Sequence, residues 1–178
     1  MFSANARQLI FDAWVVFMVV WFSAALTTKP REKSVKGRLR LPFGLIILAA
    51  LFLLDRRINP SWLALPLLPN PSWLVLPGFA LTLAGMALAF WARIYLGRNW
   101  GPPATMRVGH ELVTSGPYAY IRHPIYWGMG VALLGTALAI GNVLILLIAS
   151  VAILRFWWAA RAENALLVRQ FGEPAERR

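Results

Sequence analysis

The sequence predicts an all-α integral membrane protein with about five transmembrane helices and a C-terminal interfacial helix on the cytoplasmic side. Hydrophobic residues make up 59% of the chain, against roughly 45–50% in soluble domains. They are gathered in long runs with few charges, and the basic residues cluster between these runs. Both features are typical of helices that cross a bilayer.

The charge balance bears on which partners the protein could bind. The chain has 18 Lys and Arg against 7 Asp and Glu, which gives a net charge of +11. Most basic residues lie at the ends of apolar runs, where they act as topology signals or attract anionic lipids. We therefore expect membrane lipids as partners and no nucleic acid. The absence of cysteine excludes disulfides, Cys-ligated zinc and a Cys nucleophile.

The first apolar run, Leu9 to Leu26, is long enough to span a hydrocarbon core of about 30 Å. An alternative is a cleaved signal peptide, because Arg7 precedes the run and Ser23 to Ala25 resembles a cleavage site. Six basic residues follow between Lys29 and Arg40, and such a flank resists export. The pattern favours a membrane helix followed by a cytoplasmic loop.

The next two helices differ in how clearly they are predicted. Leu41 to Leu54 has only 14 residues, so it is predicted as a helix that either spans or stays buried or interfacial. Asp55 to Ser72 carries four prolines and is predicted as a loop. Trp73 to Ala92 has twenty residues without a charge, and Gly85 and Ala89 allow close packing of a neighbouring helix.

Two further runs, Ile125 to Ile140 and Val143 to Trp158, are separated only by Gly141 and Asn142. So short a break predicts an antiparallel helical hairpin. Small residues spaced four apart would form the packing face of its first arm. They are Gly128, Ala132 and Thr136.

Five spans give a topology that can be checked against charge. With Lys29 to Arg40 inside, the segments Arg93 to Pro124 and Arg155 onward are inside too, and together they hold fifteen basic residues against three outside. This asymmetry places the N-terminus outside and the C-terminus in the cytoplasm, across an inner or endoplasmic-reticulum type membrane. We expect one domain, with an N-terminal membrane region (1–92) and a C-terminal core (93–178).

A polar, aromatic segment, Leu112 to Gly128, stands out and reads LVTSGPYAYIRHPIYWG. It contains His123, and the other histidine of the chain, His110, lies just before it. Arg122 to Pro124 can also be interpreted as a basic flank followed by a helix-starting proline. On the predicted topology this segment lies at the cytoplasmic surface.

A second segment, Arg161 to Gly172, reads RAENALLVRQFG and is predicted to continue the fifth helix along the membrane surface. The short hairpin turn places it beside the start of the fourth helix. The side chains brought within reach of one another are His123, Tyr126, Arg161, Glu163 and Arg169.

These groups suit several chemistries. The acid and an arginine could bind an amino acid-like group through its ammonium and its carboxylate. A metal site is disfavoured because two histidines and scattered acids show no ligand spacing. The sequence also has neither a nucleophile elbow nor a GxGxxG motif after a strand.

The two motifs, LVTSGPYAYIRHPIYWG and RAENALLVRQFG, resemble those of the isoprenylcysteine carboxyl methyltransferase family of integral-membrane, S-adenosylmethionine-dependent enzymes. Leu96 to Trp100, reading LGRNW, is similar to that family's lead-in. The resemblance covers roughly Arg93 to Gly172, and the first three helices match only in kind.

The resemblance implies S-adenosylmethionine as cofactor, held between the RHPxYxG element and the C-terminal helix. The implied cofactor contacts are Tyr118, Arg122, His123, Pro124, Tyr126, Gly128, Glu163 and Asn164. Asn164 stands where the family usually has a second glutamate, so one charge is lost. Tyr126 would also line the reaction pocket, and Arg169 would hold the substrate carboxylate.

The implied reaction is an SN2 methyl transfer to a carboxylate of a lipidic or isoprenylcysteine-like substrate that enters from the bilayer. A carboxylate is already ionised at neutral pH, so no strong base is required. Three alternatives remain: a phospholipid or amine N-methyltransferase, a sterol reductase using a nicotinamide, and a non-enzymatic lipid-binding scaffold. The oligomeric state is not predicted.

Overall fold

A computed structural model describes residues 2–25, 31–34, 66, 72–100, 105–107 and 113–171. The helices in these ranges are α1 (Phe2–Ala25), α2 (Ser72–Leu96), α3 (Pro124–Ile140) and α4 (Val143–Phe171). The remaining elements are the strands β1 (Arg31–Ser34) and β2 (Thr105–Arg107) and the 3₁₀ turns Gly97–Asn99 and Gly116–Ala119.

The described helices support the predicted helical membrane class. Trp73–Leu96 of α2 and Val143–Ala165 of α4 are long and apolar enough to cross a membrane. The apolar parts of α1 and α3 are shorter, Gln8–Ala24 and Pro124–Ile140. The predicted helix over Leu41 to Leu54 lies outside the described residues, as does nearly all of the loop predicted after it, so five spans remain a prediction.

Helices α2 and α3 pack with their backbones almost in contact. A Cβ atom on Gly85 would lie 2.5 Å from the Gly128 carbonyl oxygen, and one on Gly135 would lie 2.5 Å from the Thr82 amide nitrogen. Only glycine allows so close an approach. The small-residue faces predicted on these two helices are therefore confirmed, and they pack against each other.

A buried polar cluster joins α1 to this helix pair. The Trp14 indole donates a hydrogen bond to the Thr136 hydroxyl at 3.0 Å, and that hydroxyl lies 3.3 Å from the hydroxyl of Thr82. The threonines also donate to the carbonyls one turn earlier, Thr82 to Gly78 and Thr136 to Ala132. Because these groups satisfy one another, the cluster fixes the position of α1 without leaving an unpaired polar group in the core.

The predicted hairpin between α3 and α4 is also confirmed. Gly141 ends α3 in the left-handed conformation at φ 66°, and its amide bonds to the Ala137 carbonyl at 2.9 Å. The Asn142 side-chain oxygen then accepts hydrogen bonds from the amides of Leu144 and Ile145 and caps the start of α4. Two residues thus close one helix and open the next.

The last helix continues without a break into the second motif. Its 29 residues give α4 a length of about 43 Å. The segment predicted from Arg161 onward is thus the end of α4. Its placement along a membrane surface stays a prediction.

Arg93 connects the C-terminal ends of α1 and α2. Its guanidinium is buried and donates to the carbonyls of Gly97 and Ala24, both at 2.6 Å, while it lies over the Trp100 ring. A cation at two helix C-termini is favourable because the exposed carbonyls carry partial negative charge. From the sequence alone, Arg93 is predicted only as a topology charge.

Besides the helices, the short strands β1 and β2 form an antiparallel pair that the sequence did not predict. Ser34 lies opposite Thr105, and Arg31 lies opposite Arg107. The pair joins the segment that follows α1 to the segment that follows α2. Both segments therefore lie at the same end of the helices as Arg93.

Candidate functional site

The two sequence motifs meet where α3 begins and α4 nears its end. The Tyr126 hydroxyl donates to Glu163 Oε2 at 2.9 Å. His123 places Nε2 2.9 Å from Asn164 Oδ1 and Nδ1 3.9 Å from the same Glu163 oxygen. One imidazole is thus held against two consecutive residues of α4.

The backbone at the start of α3 explains how His123 reaches α4. Pro124 is the first residue of the helix, and its fixed φ suits that position. The Trp127 amide bonds to the His123 carbonyl at 3.1 Å and forms the first helical turn. His123 therefore sits just before the helix, where its ring can turn toward α4.

A stack of three rings supports the polar contacts. The rings of His123 and Tyr126 lie 5.5 Å apart, and those of Tyr126 and Phe156 lie 5.6 Å apart with an interplanar angle of 11°. Phe156 is buried and was not predicted as a site residue. Its spacing of two helical turns from Glu163, which places both on one face of α4, could have indicated it.

Tyr118 lies beside these residues in the turn Gly116–Ala119. Gly116 adopts φ 60°, and a Cβ on it would collide with the ring of Tyr95 on α2. Burial raises the pKa of Tyr118 above its usual range, and the negative charge of Glu163 raises it further, while Arg93 acts in the opposite direction. Tyr118 therefore remains a neutral phenol at physiological pH.

The other predicted site residues have different surroundings. Gly128 faces α2, where a Cβ would lie 2.7 Å from the Gly85 carbonyl oxygen. Pro124 is buried at the start of α3, and Arg122 is exposed. Their predicted cofactor contacts remain predictions.

The structure describes the side chain of only one of the two arginines predicted near His123. The guanidinium of Arg161 lies 3.9 Å from the centroid of the Trp157 ring, and the neighbour of the imidazole is Asn164 instead. The backbone of Arg169 belongs to α4, but its side chain lies outside the described residues. Its role with the substrate stays a prediction.

The arrangement provides a receptor for a cationic N–H group. A separation of 3.9 Å is too long for a hydrogen bond between His123 and Glu163. A ligand nitrogen lying between the two could reach both. The Glu163 side chain retains 37% of its exposure, whereas that of His123 retains 12%, so the carboxylate is accessible while the imidazole is held.

Comparison with known proteins supports the resemblance noted in the two motifs. The sequence model described as phospholipid methyltransferase matches residues 73–174, more than half of the chain. A protein-S-isoprenylcysteine O-methyltransferase from Schizosaccharomyces pombe is 41% identical over 68 residues, which are 38% of this chain and 29% of that protein. The chain thus matches less than a third of that relative's length.

Proposed function

Since the chain belongs to the phospholipid methyltransferase family, we propose that it is a membrane-embedded methyltransferase that uses S-adenosylmethionine. The observation that carries the proposal is the contact of Glu163 with Tyr126 and His123, because it joins the two motifs on which the resemblance rests. Neither motif alone would form a receptor for a cation.

The charged and polar residues of the site suit this cofactor. Glu163 and His123 would hold the ammonium group of its amino acid part, beside the ring stack that His123 forms with Tyr126 and Phe156. The carboxylate attracts positive charge. When bound, the cofactor supplies a methyl group on a positively charged sulfur.

The proposed methyl acceptor is a carboxylate on a lipidic or isoprenylcysteine-like molecule. The name of the yeast relative supports this class, as does the apolar surface near the site, where Trp127, Leu154 and Trp158 are all exposed. Arg169 would hold the carboxylate. The residues of the chain would act by aligning the acceptor oxygen and excluding water, since an ionised carboxylate needs no base.

A phospholipid amine is the second candidate acceptor, because the matching family is described as phospholipid methyltransferase. An amine must lose a proton during methylation. The imidazole of His123 lies beside Glu163 in the described site, and in the proposed role it holds the cofactor ammonium and is not available to take that proton. This arrangement favours the carboxylate over the amine.

The proposed topology has five spans, with the N-terminus outside and the site in the cytoplasm. It is supported by the distribution of basic residues and by the pairing of β1 with β2 at the end of the helices that carries the site. The bond from Trp14 to Thr136 and that from Arg93 to Ala24 support one domain that includes both predicted parts of the chain.

The test is binding of S-adenosylmethionine to the detergent-purified protein, followed by labelled methyl transfer to prenyl-cysteine analogues, fatty acids and phospholipid amines. Glu163→Gln should weaken binding about 10- to 100-fold, as expected for the loss of a charged hydrogen-bond partner. Asp12→Asn is the matched control, because Asp12 is an exposed carboxylate on α1 that contacts Gln8. It should bind like the wild type.

Three results would contradict the proposal. They are equal binding by the Glu163→Gln variant and the wild type, binding of NADPH in place of S-adenosylmethionine, and stabilisation by anionic lipid with no cofactor binding. The second would indicate a reductase, and the third a lipid-binding scaffold.

A further inference from the structure

The two ring nitrogens of His123 face chemically different partners. Nε2 lies 2.9 Å from the side-chain oxygen of Asn164, and Nδ1 lies 3.9 Å from a carboxylate oxygen of Glu163. The partners are consecutive residues of one helix, so one imidazole bridges two neighbouring side chains of α4.

The amide oxygen decides which nitrogen carries the proton. A side-chain carbonyl oxygen only accepts hydrogen bonds, so Nε2 must be protonated to bond to Asn164. In a neutral imidazole the other nitrogen is then an acceptor. Nδ1 therefore presents a lone pair toward Glu163.

Building on the proposed function, we infer that Asn164 is a positioning residue that fixes the Nε2–H form of His123. Nδ1 and Glu163 Oε2 then form a pair of acceptors for one ammonium group of an amino acid-type ligand. Two acceptors 3.9 Å apart can each lie about 2.9 Å from a nitrogen placed between them. Asn164 acts through His123 and does not touch the ligand.

The first test reads the protonated nitrogen directly by NMR of the ligand-free protein with ¹⁵N-labelled histidine. The chain has two histidines, so His110→Gln assigns the signals. At alkaline pH the wild type should show a proton on Nε2 and none on Nδ1. Asn164→Ala should give a mixture of tautomers, and Asn164→Asp should restore the wild-type form because a carboxylate also accepts.

A wild-type ring protonated at Nδ1 would overturn the inference, and so would an unchanged tautomer in the Asn164→Ala variant. Both measurements are made without ligand. They therefore do not depend on whether the protein is a methyltransferase.

The second test is binding of S-adenosylhomocysteine, which carries the ammonium group but no transferable methyl. Asn164→Ala should weaken binding about five- to tenfold at alkaline pH. Asn164→Asp should bind like the wild type, because its carboxylate also accepts a hydrogen bond from Nε2.

The two failures are distinguishable. Wild-type protein that binds neither S-adenosylmethionine nor S-adenosylhomocysteine contradicts the proposed function. Wild-type protein that binds both, with binding unchanged in the Asn164→Ala variant, contradicts the role of Asn164 alone.

Discussion

The pKa of Tyr118 is set mainly by burial, because the two nearby charges act on it in opposite directions. Glu163 disfavours its ionised form and Arg93 favours it, yet desolvation has the largest effect and raises its pKa. The phenol can therefore offer a proton to the site but cannot act as a base.

Tyr118 should also make the folded protein sensitive to alkali. The phenol ionises less readily in the folded state, so its contribution to stability is complete below about pH 10 and is lost as pH rises through the raised pKa. The melting temperature of the wild type in detergent should fall between pH 8 and pH 11. The fall should be smaller in Tyr118→Phe, which cannot ionise.

Tyr120→Phe is the control, because the Tyr120 side chain is 86% exposed. This variant should melt like the wild type at both pH values. An equal alkaline fall in Tyr118→Phe and the wild type would show that burial of this phenol does not affect stability.

At the same scale, the sequence predicts some contacts of the site and misses others. A two-residue turn requires the ends of α3 and α4 to meet, so the proximity of Tyr126 and Glu163 could be expected from spacing. The contact of His123 with Asn164 could not be expected in the same way. It depends on the rotation of α4 about its axis, which is set by packing of residues such as Phe156.

Among the elements, the α2–α3 pair is the most sensitive to side-chain volume. Its closest approaches involve backbone atoms on both sides, which cannot rotate away as a side chain can. The pair should therefore tolerate almost no added atoms. Glycines elsewhere on the same helices should be less restricted.

The variants Gly85→Ala and Gly130→Ala place the same added methyl group at a tightly packed glycine and at a less restricted one. A Cβ on Gly85 would press into the backbone of α3, so we expect a loss of about 1–3 kcal/mol in stability. A Cβ on Gly130 would meet Ile153 Cγ1 at 3.5 Å, an ordinary contact. Gly130→Ala should gain about 0.5–1 kcal/mol from helix propensity.

Thermal melting of both variants in detergent measures the difference. Equal melting temperatures would contradict the close approach of α2 and α3. A loss of stability in Gly130→Ala as large as that in Gly85→Ala would contradict it as well.

Element boundaries follow from the sequence where apolar runs and turn residues mark them. Gly141 and Asn142 end one helix and cap the next, and both residue types are common at those positions. The strands could not be predicted, because β1 and β2 have only four and three residues and no alternating pattern. Their pairing depends on α1 and α2 ending at the same level.

On the scale of the whole molecule, the strand pair allows a test of whether the segments that follow α1 and α2 meet. The chain contains no cysteine, so an introduced pair reacts without background. Ser34→Cys with Thr105→Cys should form an intramolecular disulfide on mild oxidation, because these residues are directly opposite in the pair. Electrophoresis without reductant would detect the cross-linked form.

Ser34→Cys with Ser150→Cys serves as the control, since Ser150 lies on α4 in the half nearer the hairpin turn. This pair should not cross-link. Efficient cross-linking of the control, or none of the first pair, would contradict the meeting of the two segments at the end that carries the site.

Because the turn at Gly141 is so short, the contact between the two motifs depends on the number of residues in each arm of the hairpin as well as on their identity. One residue inserted into α3 or α4 would rotate every residue beyond it by about 100° and advance it by about 1.5 Å. Three or four inserted residues would restore the face but displace it by about one pitch of 5.4 Å. The two arms therefore tolerate exchange of one lipid-facing side chain for another. They do not tolerate the insertion or deletion of a single residue, because it would turn the site residues away from each other.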